Sequence, residues 1–116
     1  MTVKEFYTTI GADYNEAVKR LMDDAFIMKL LGKFAKDQNF SNLVAGMKGG
    51  DYAQAFTASH TLKGIALNLG LDVLGRVSSD LTEALRAGEN DKAKVLFPPV
   101  VAEYAKVDKA LKELGV

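Results

Sequence analysis

The chain has 116 residues, 48% of them hydrophobic and 26% charged, with 15 Lys plus Arg against 15 Asp plus Glu and no cysteine. That length and balance describe a single globular domain over 1–116 that buries its own core rather than a disordered segment. Zero net charge argues against a nucleic-acid or anionic-membrane partner, and the missing thiols exclude disulfides, thiolate metal sites and cysteine nucleophiles.

The N-terminal stretch "MTVKEFYTTIGADYNEAVKR" contains no apolar run of signal-peptide or membrane-spanning length, so a cytoplasmic protein is expected. Helix signals then follow one another closely. Thr2 with Glu5, and Asp13 with Glu16, have capping-box spacing and predict short helices over about 3–10 and 14–22, separated by Gly11. Asp24 is placed to cap "AFIMKLLGKFAKD", where Phe26, Ile27, Leu30, Leu31 and Phe34 form an apolar stripe. Ser41 restarts helix with Leu43, Val44 and Met47, and Gly49-Gly50 ends it. Asp51 caps a longer segment to about Leu69, closed by Gly70, and Asp72 caps another that carries Leu74, Val77, Leu81 and Leu85.

The last segment, from about Lys92 to Leu114, is interrupted by Pro98-Pro99, where a kink or short break is expected. Beyond it Val100, Tyr104, Val107, Leu111 and Leu114 form the seam of a helix lying nearly parallel to its neighbours. No segment reads as a strand. The simplest architecture is all-α: an antiparallel up-down four-helix bundle with short extra N-terminal helices. A monomer is expected, because no second exposed apolar seam is visible.

The only histidine lies in "SHTLKG", residues 59–64. At about 100° per residue, Ala55, Ala58, Leu62, Ile65, Ala66 and Leu69 share one side of the helix, the candidate buried face. His60 points away from it, surrounded by Ala53, Phe56, Thr57, Lys63, Gly64 and Leu67. Mid-helix glycine costs about 1 kcal/mol relative to alanine. Helical side chains lean toward the N-terminus, so any side chain at 64 would lie over the turn carrying His60, and glycine leaves that turn open. Lys63 can reach the space above the ring and stabilise an anion carried there. The three residues describe an accessible nucleophile with a cation beside it and clearance for a partner, which fits a phosphoryl group.

The run "ASHTLKGIALNLGLDVLGRVSSDLTEALRAGE", residues 58–89, resembles the histidine-containing phosphotransfer domain, marked by a helical His-x-x-Lys-Gly and a second glycine. Here these are His60, Lys63, Gly64 and Gly70, with Leu74 and Leu81 matching the leucine spacing of the next helix. Ser59 stands where the family often has alanine, and Ile65 where a smaller residue is usual. The resemblance implies a four-helix bundle and a histidine phosphocarrier without a kinase site of its own. It would accept phosphate on His60 from a kinase or a receiver-domain aspartate and pass it to another receiver aspartate. Partners would be receiver domains of response regulators and hybrid sensor histidine kinases.

Imidazole suits the task because its unperturbed pKa of about 6.5 leaves it mostly neutral at cell pH. Nε2 would attack in line, Lys63 would stabilise charge on the phosphoryl oxygens, and the receiver would supply Mg²⁺. Phe56, Thr57 and Leu67 are candidate docking residues. Phe56 and Leu67 could equally cover a neighbouring helix edge. Arg76, Arg86, Lys29, Lys33 and Lys36 read as solvated charges, with steering toward an acidic receiver pocket as the alternative.

No cofactor or metal site is expected in this chain, since the positions one turn from His60 are Phe56 and Gly64, and "GMKGGD" lacks the ending of a phosphate-binding loop. The competing reading is a helical module that holds a partner through the same face without carrying phosphate.

Overall fold

The computed structural model describes all of residues 1–116, and every regular element is helical. In chain order these are α1 (Val3–Thr9), α2 (Tyr14–Leu21), α3 (Asp24–Phe34), α4 (Asn39–Gly49), α5 (Tyr52–Asn68), α6 (Asp72–Arg86) and α7 (Asn90–Leu114). None is long and apolar enough to cross a membrane.

Local hydrogen bonding sets most of the boundaries. On α1 the capping box is complete: Glu5 N–H donates to Thr2 Oγ1 at 3.1 Å, and Thr2 N–H donates to Glu5 Oε1 at 3.0 Å. The bond from the Thr2 backbone holds the Glu5 carboxyl below its ordinary range. Asp13 caps α2 by accepting from Glu16 N–H, but the Glu16 carboxylate turns to Lys19 instead of back to the cap. Asp23, not the expected Asp24, caps α3 through Phe26 N–H at 2.8 Å, while Asp24 accepts from the Tyr14 hydroxyl at 2.6 Å.

The start of α4 lies at Asn39, ahead of the expected Ser41, because Asp37 accepts from both the backbone and side-chain amides of Asn39 and turns the chain early. Asp51 caps α5 as expected. Asp72 is the first residue of α6 rather than its cap, a position taken by buried Leu71. Its carboxylate still sits in the first turn, where the helix dipole favours it.

At Pro98-Pro99 the expected break does not occur: α7 is one helix of 25 residues containing both prolines. Both are exposed, whereas Ala93 and Val100 are buried. The carbonyls deprived of an amide are those of Lys94 and Val95, two exposed residues, so water can satisfy them. Seam packing on either side then keeps the segment helical.

In the interior, α5 packs against both α4 and α6, and α6 packs against α7. Ala55, Ala58, Leu62 and Ala66 of α5 share one buried cluster with Leu74 and Leu81 of α6 and Val100, Val107 and Leu111 of α7. Phe40 of α4 stacks on Tyr104 of α7 with centroids 3.9 Å apart, and Phe34 of α3 meets the same ring edge-on at 6.1 Å. The α4–α5 approach depends on Gly46, where an added Cβ would lie 2.7 Å from the Ala55 nitrogen.

The N-terminal helices clamp the far end of α5. Tyr7, fully buried, donates its hydroxyl to the Leu69 carbonyl at 2.6 Å, and the Arg20 guanidinium donates to the Leu67 carbonyl. Both act on carbonyls at the helix end, that of Leu67 also accepting from the Gly70 amide. Burial and then the Asp72 carboxylate push the Tyr7 phenol up to about 12, against the opposing pull of Arg20.

Candidate functional site

Helix α5 carries the site. Its buried stripe is Ala55, Ala58, Ser59, Leu62 and Ala66, and His60 faces solvent. Two expectations about that stripe change. Ile65 is only half-buried, at the rim of a groove shared with Leu30, Lys33 and Asp37 of the neighbouring segment. Ser59, outside the predicted stripe, is inside the core with no exposure.

Burying the Ser59 hydroxyl demands a partner, and α6 provides one. Thr82 Oγ1 donates to the Ser78 carbonyl at 2.7 Å, which uses its one proton. Ser59 Oγ lies 2.5 Å from Thr82 Oγ1 and donates to the same Ser78 carbonyl at 3.2 Å, so the two hydroxyls share one acceptor. The pair of hydroxyls thus fixes the residue before His60 to the next helix.

Above that anchor the surface is open. A Cβ added at Gly64 would meet nothing within 4 Å, so the turn carrying His60 has free space beside it. Lys63, one residue earlier, is half-buried. Phe56, one turn before the histidine, is half-buried, and its ring lies nearly parallel to the imidazole, at 13° and 5.8 Å between centroids. Over the same phenyl ring, 5.0 Å from its centroid, sits the Arg86 guanidinium of α6.

The expected docking residues do not make one patch. Thr57 is exposed on the α4 side, beside Asn39, Asn42 and Asp51. Phe56 and Leu67 lie on the α6 side. Leu67 is 41% exposed, yet it rests on Gly75 of α6, where an added Cβ would come within 2.5 Å of its Cδ2. Arg86 is exposed as expected, but its approach to Phe56 depends on the α5–α6 register rather than on any local pattern. Arg76, Lys29, Lys33 and Lys36 are exposed as expected. Nowhere do three or more His, Cys, Asp or Glu side chains converge as metal ligands.

Such a site offers one nitrogen nucleophile in the open, with a lysine three residues further along the same helix. A family model for the Hpt domain matches residues 30–114. The chain belongs to the Hpt domain family. The match takes in the last five residues of α3 and all of α4 to α7, including the helix of His60, while α1 and α2 lie outside it. Hpt domains act in histidine phosphotransfer within phosphorelay signal transduction, as phosphocarriers rather than kinases. No curated protein and no solved structure matches the chain.

Proposed function

We propose that this protein is a histidine phosphocarrier in a multistep phosphorelay, with His60 as the phosphoacceptor. The observation that carries the reading is the exposed imidazole on α5 beside the unobstructed turn at Gly64, within an Hpt domain. His60 Nε2 attacks the phosphorus of a phosphoaspartate in line. The N–P bond forms as the acyl-phosphate P–O bond breaks, and the donor aspartate leaves as a carboxylate. The reverse step passes the group to a second aspartate.

Lys63 offsets charge on the phosphoryl oxygens, and Gly64 provides clearance. Receiver domains of hybrid sensor histidine kinases and response regulators are the partners, and they bring Mg²⁺ and the rest of the electrostatic stabilisation. The chain itself needs no cofactor or metal. Phe56 and Leu67 on the α6 side of α5, and Thr57 on its α4 side, contribute to docking from separate edges of that surface. In this reading residues 1–116 form one domain, α4 to α7 make an antiparallel up-down bundle with α1 to α3 packed against it, and the protein works as a cytoplasmic monomer.

The test is incubation with phosphorylated receiver domains. Label is expected on His60 as an acid-labile, alkali-stable adduct, and His60→Gln should abolish it while the helical fold survives. Label that persists in His60→Gln overturns the assignment. A protein that binds receivers but takes no label from any of them is the phosphate-independent module instead.

A further inference from the structure

An exposed imidazole on a helix has two side-chain torsions and normally samples several staggered states. Only orientations that aim the ring nitrogen at the incoming phosphorus are productive, so the competent fraction scales the rate. In this chain the ring has an aromatic neighbour. The Phe56 ring lies nearly parallel to it, at 13° with 5.8 Å between centroids, and Arg86 sits 5.0 Å from the Phe56 centroid. Arg86 is itself held by Glu83, Nε to Oε2 at 3.4 Å on the same helix. The sequence of contacts runs from α6 through a cation and a phenyl ring to the reactive side chain on α5.

Covering the cleft alone does not require a phenyl ring. The depression that Phe56 shares with Tyr52, Leu85 and Gly88 would accept any apolar side chain, but only a flat ring presents a face for imidazole to stack on. We infer that Phe56 is a positioning residue, anchored by Arg86, that holds the His60 imidazole in one orientation for phosphoryl transfer. This rests on the phosphoacceptor role proposed above.

The chain's single histidine makes the inference directly measurable, because its ring protons give the only imidazole resonances. In the intact protein these should be displaced upfield by the Phe56 ring current, and the His60 χ1 couplings should report one rotamer. Phe56→Leu, which keeps apolar cover but removes the flat face, should abolish the displacement and average the couplings. Phe56→Tyr should retain both. Arg86→Ala should shift both observables the same way by a smaller amount, and Arg86→Lys should recover part of the loss.

For rate, the probe is phosphoramidate, a small donor with no protein surface to dock. His60 forms an N–P bond as the donor's P–N bond breaks and ammonia leaves. Phe56→Leu should slow labelling at saturating donor about tenfold, with the half-saturating concentration unchanged. Unchanged ring signals in Phe56→Leu overturn the inference. So does a loss confined to receiver-driven transfer, which would make Phe56 a docking residue only. If the parent protein takes no label from either donor, the phosphocarrier reading fails, while the ring signals still decide whether Phe56 fixes the imidazole.

Discussion

Ser59 and Thr82 meet hydroxyl to hydroxyl at 2.5 Å, across the α5–α6 seam and one residue from the exposed histidine. The contact turns a buried polar side chain, otherwise a cost, into a register lock between the two helices. Ser59→Ala should change stability by less than about 1 kcal/mol, because Thr82 keeps its own bond to the Ser78 carbonyl. In a double-mutant cycle with Thr82→Val, denaturant unfolding should show a coupling of about 0.5–1 kcal/mol. Strict additivity would mean that the contact contributes nothing.

Ser78 supplies its carbonyl to that network, but its own Oγ is buried without a partner. Removing an unpaired buried hydroxyl and placing a better helix former in mid-helix both favour the native state. Ser78→Ala should therefore stabilise the protein by about 1 kcal/mol, read as a raised denaturation midpoint with an unchanged slope.

The helical glycines divide by what surrounds them. At Gly46 an added Cβ meets only backbone, 2.7 Å from Ala55 N and 2.9 Å from Asp51 O, so Gly46→Ala should cost about 1–3 kcal/mol. At Gly32 and Gly64 the space is empty, and alanine should stabilise by about 0.5–1 kcal/mol. Gly64→Ala should at the same time slow phosphoryl transfer, so that stability and activity move in opposite directions. Gly32→Ala should leave transfer alone.

The Tyr7 phenol is raised to about 12 by burial and by Asp72. Between the ordinary tyrosine value near 10 and this native one, the unfolded chain has released its proton and the folded chain has not. Tyr7's contribution is therefore complete below about pH 10 and lost as pH rises toward 12. Tyr7→Phe should flatten that part of the stability profile, and should cost about 1 kcal/mol at neutral pH through the lost bond to the Leu69 carbonyl.

Lys63→Ala should leave thermal unfolding nearly unchanged but reduce transfer to His60 about tenfold, or about 1.4 kcal/mol of transition-state stabilisation. Single-turnover labelling with a phosphorylated receiver measures it. An equal rate in the variant would assign that charge to the partner alone.

The parts of this protein that were legible in its sequence are those decided within a turn or two of chain. The Thr2–Glu5 box, the Asp51 cap and the outward orientation of His60 all follow from spacing on a single helix. Adjacent aspartates defeated that approach at α3: Asp23 and Asp24 are equally good caps locally, and the Tyr14 hydroxyl, which belongs to another helix, occupies Asp24. The prolines failed for a similar reason. The local rule counts the missing amides but not the solvent exposure of Lys94 and Val95, which makes the loss inexpensive. At the site, the phenyl ring under His60 lies at a readable i, i+4 spacing, whereas Arg86 above that ring comes from α6 and needed the packed structure.

The reactive side chain rides on a shaft secured at each end, by the Asp51 carboxylate at one and by Tyr7 and Arg20 at the other. Nothing in α5 can swing it outward, because its only internal glycine is in helical geometry with intact turns on either side. Under the proposed phosphocarrier role, traffic through this molecule is governed by visitors arriving and departing, not by an arm that reaches between them. Its tempo should scale with the abundance of the proteins that call on it.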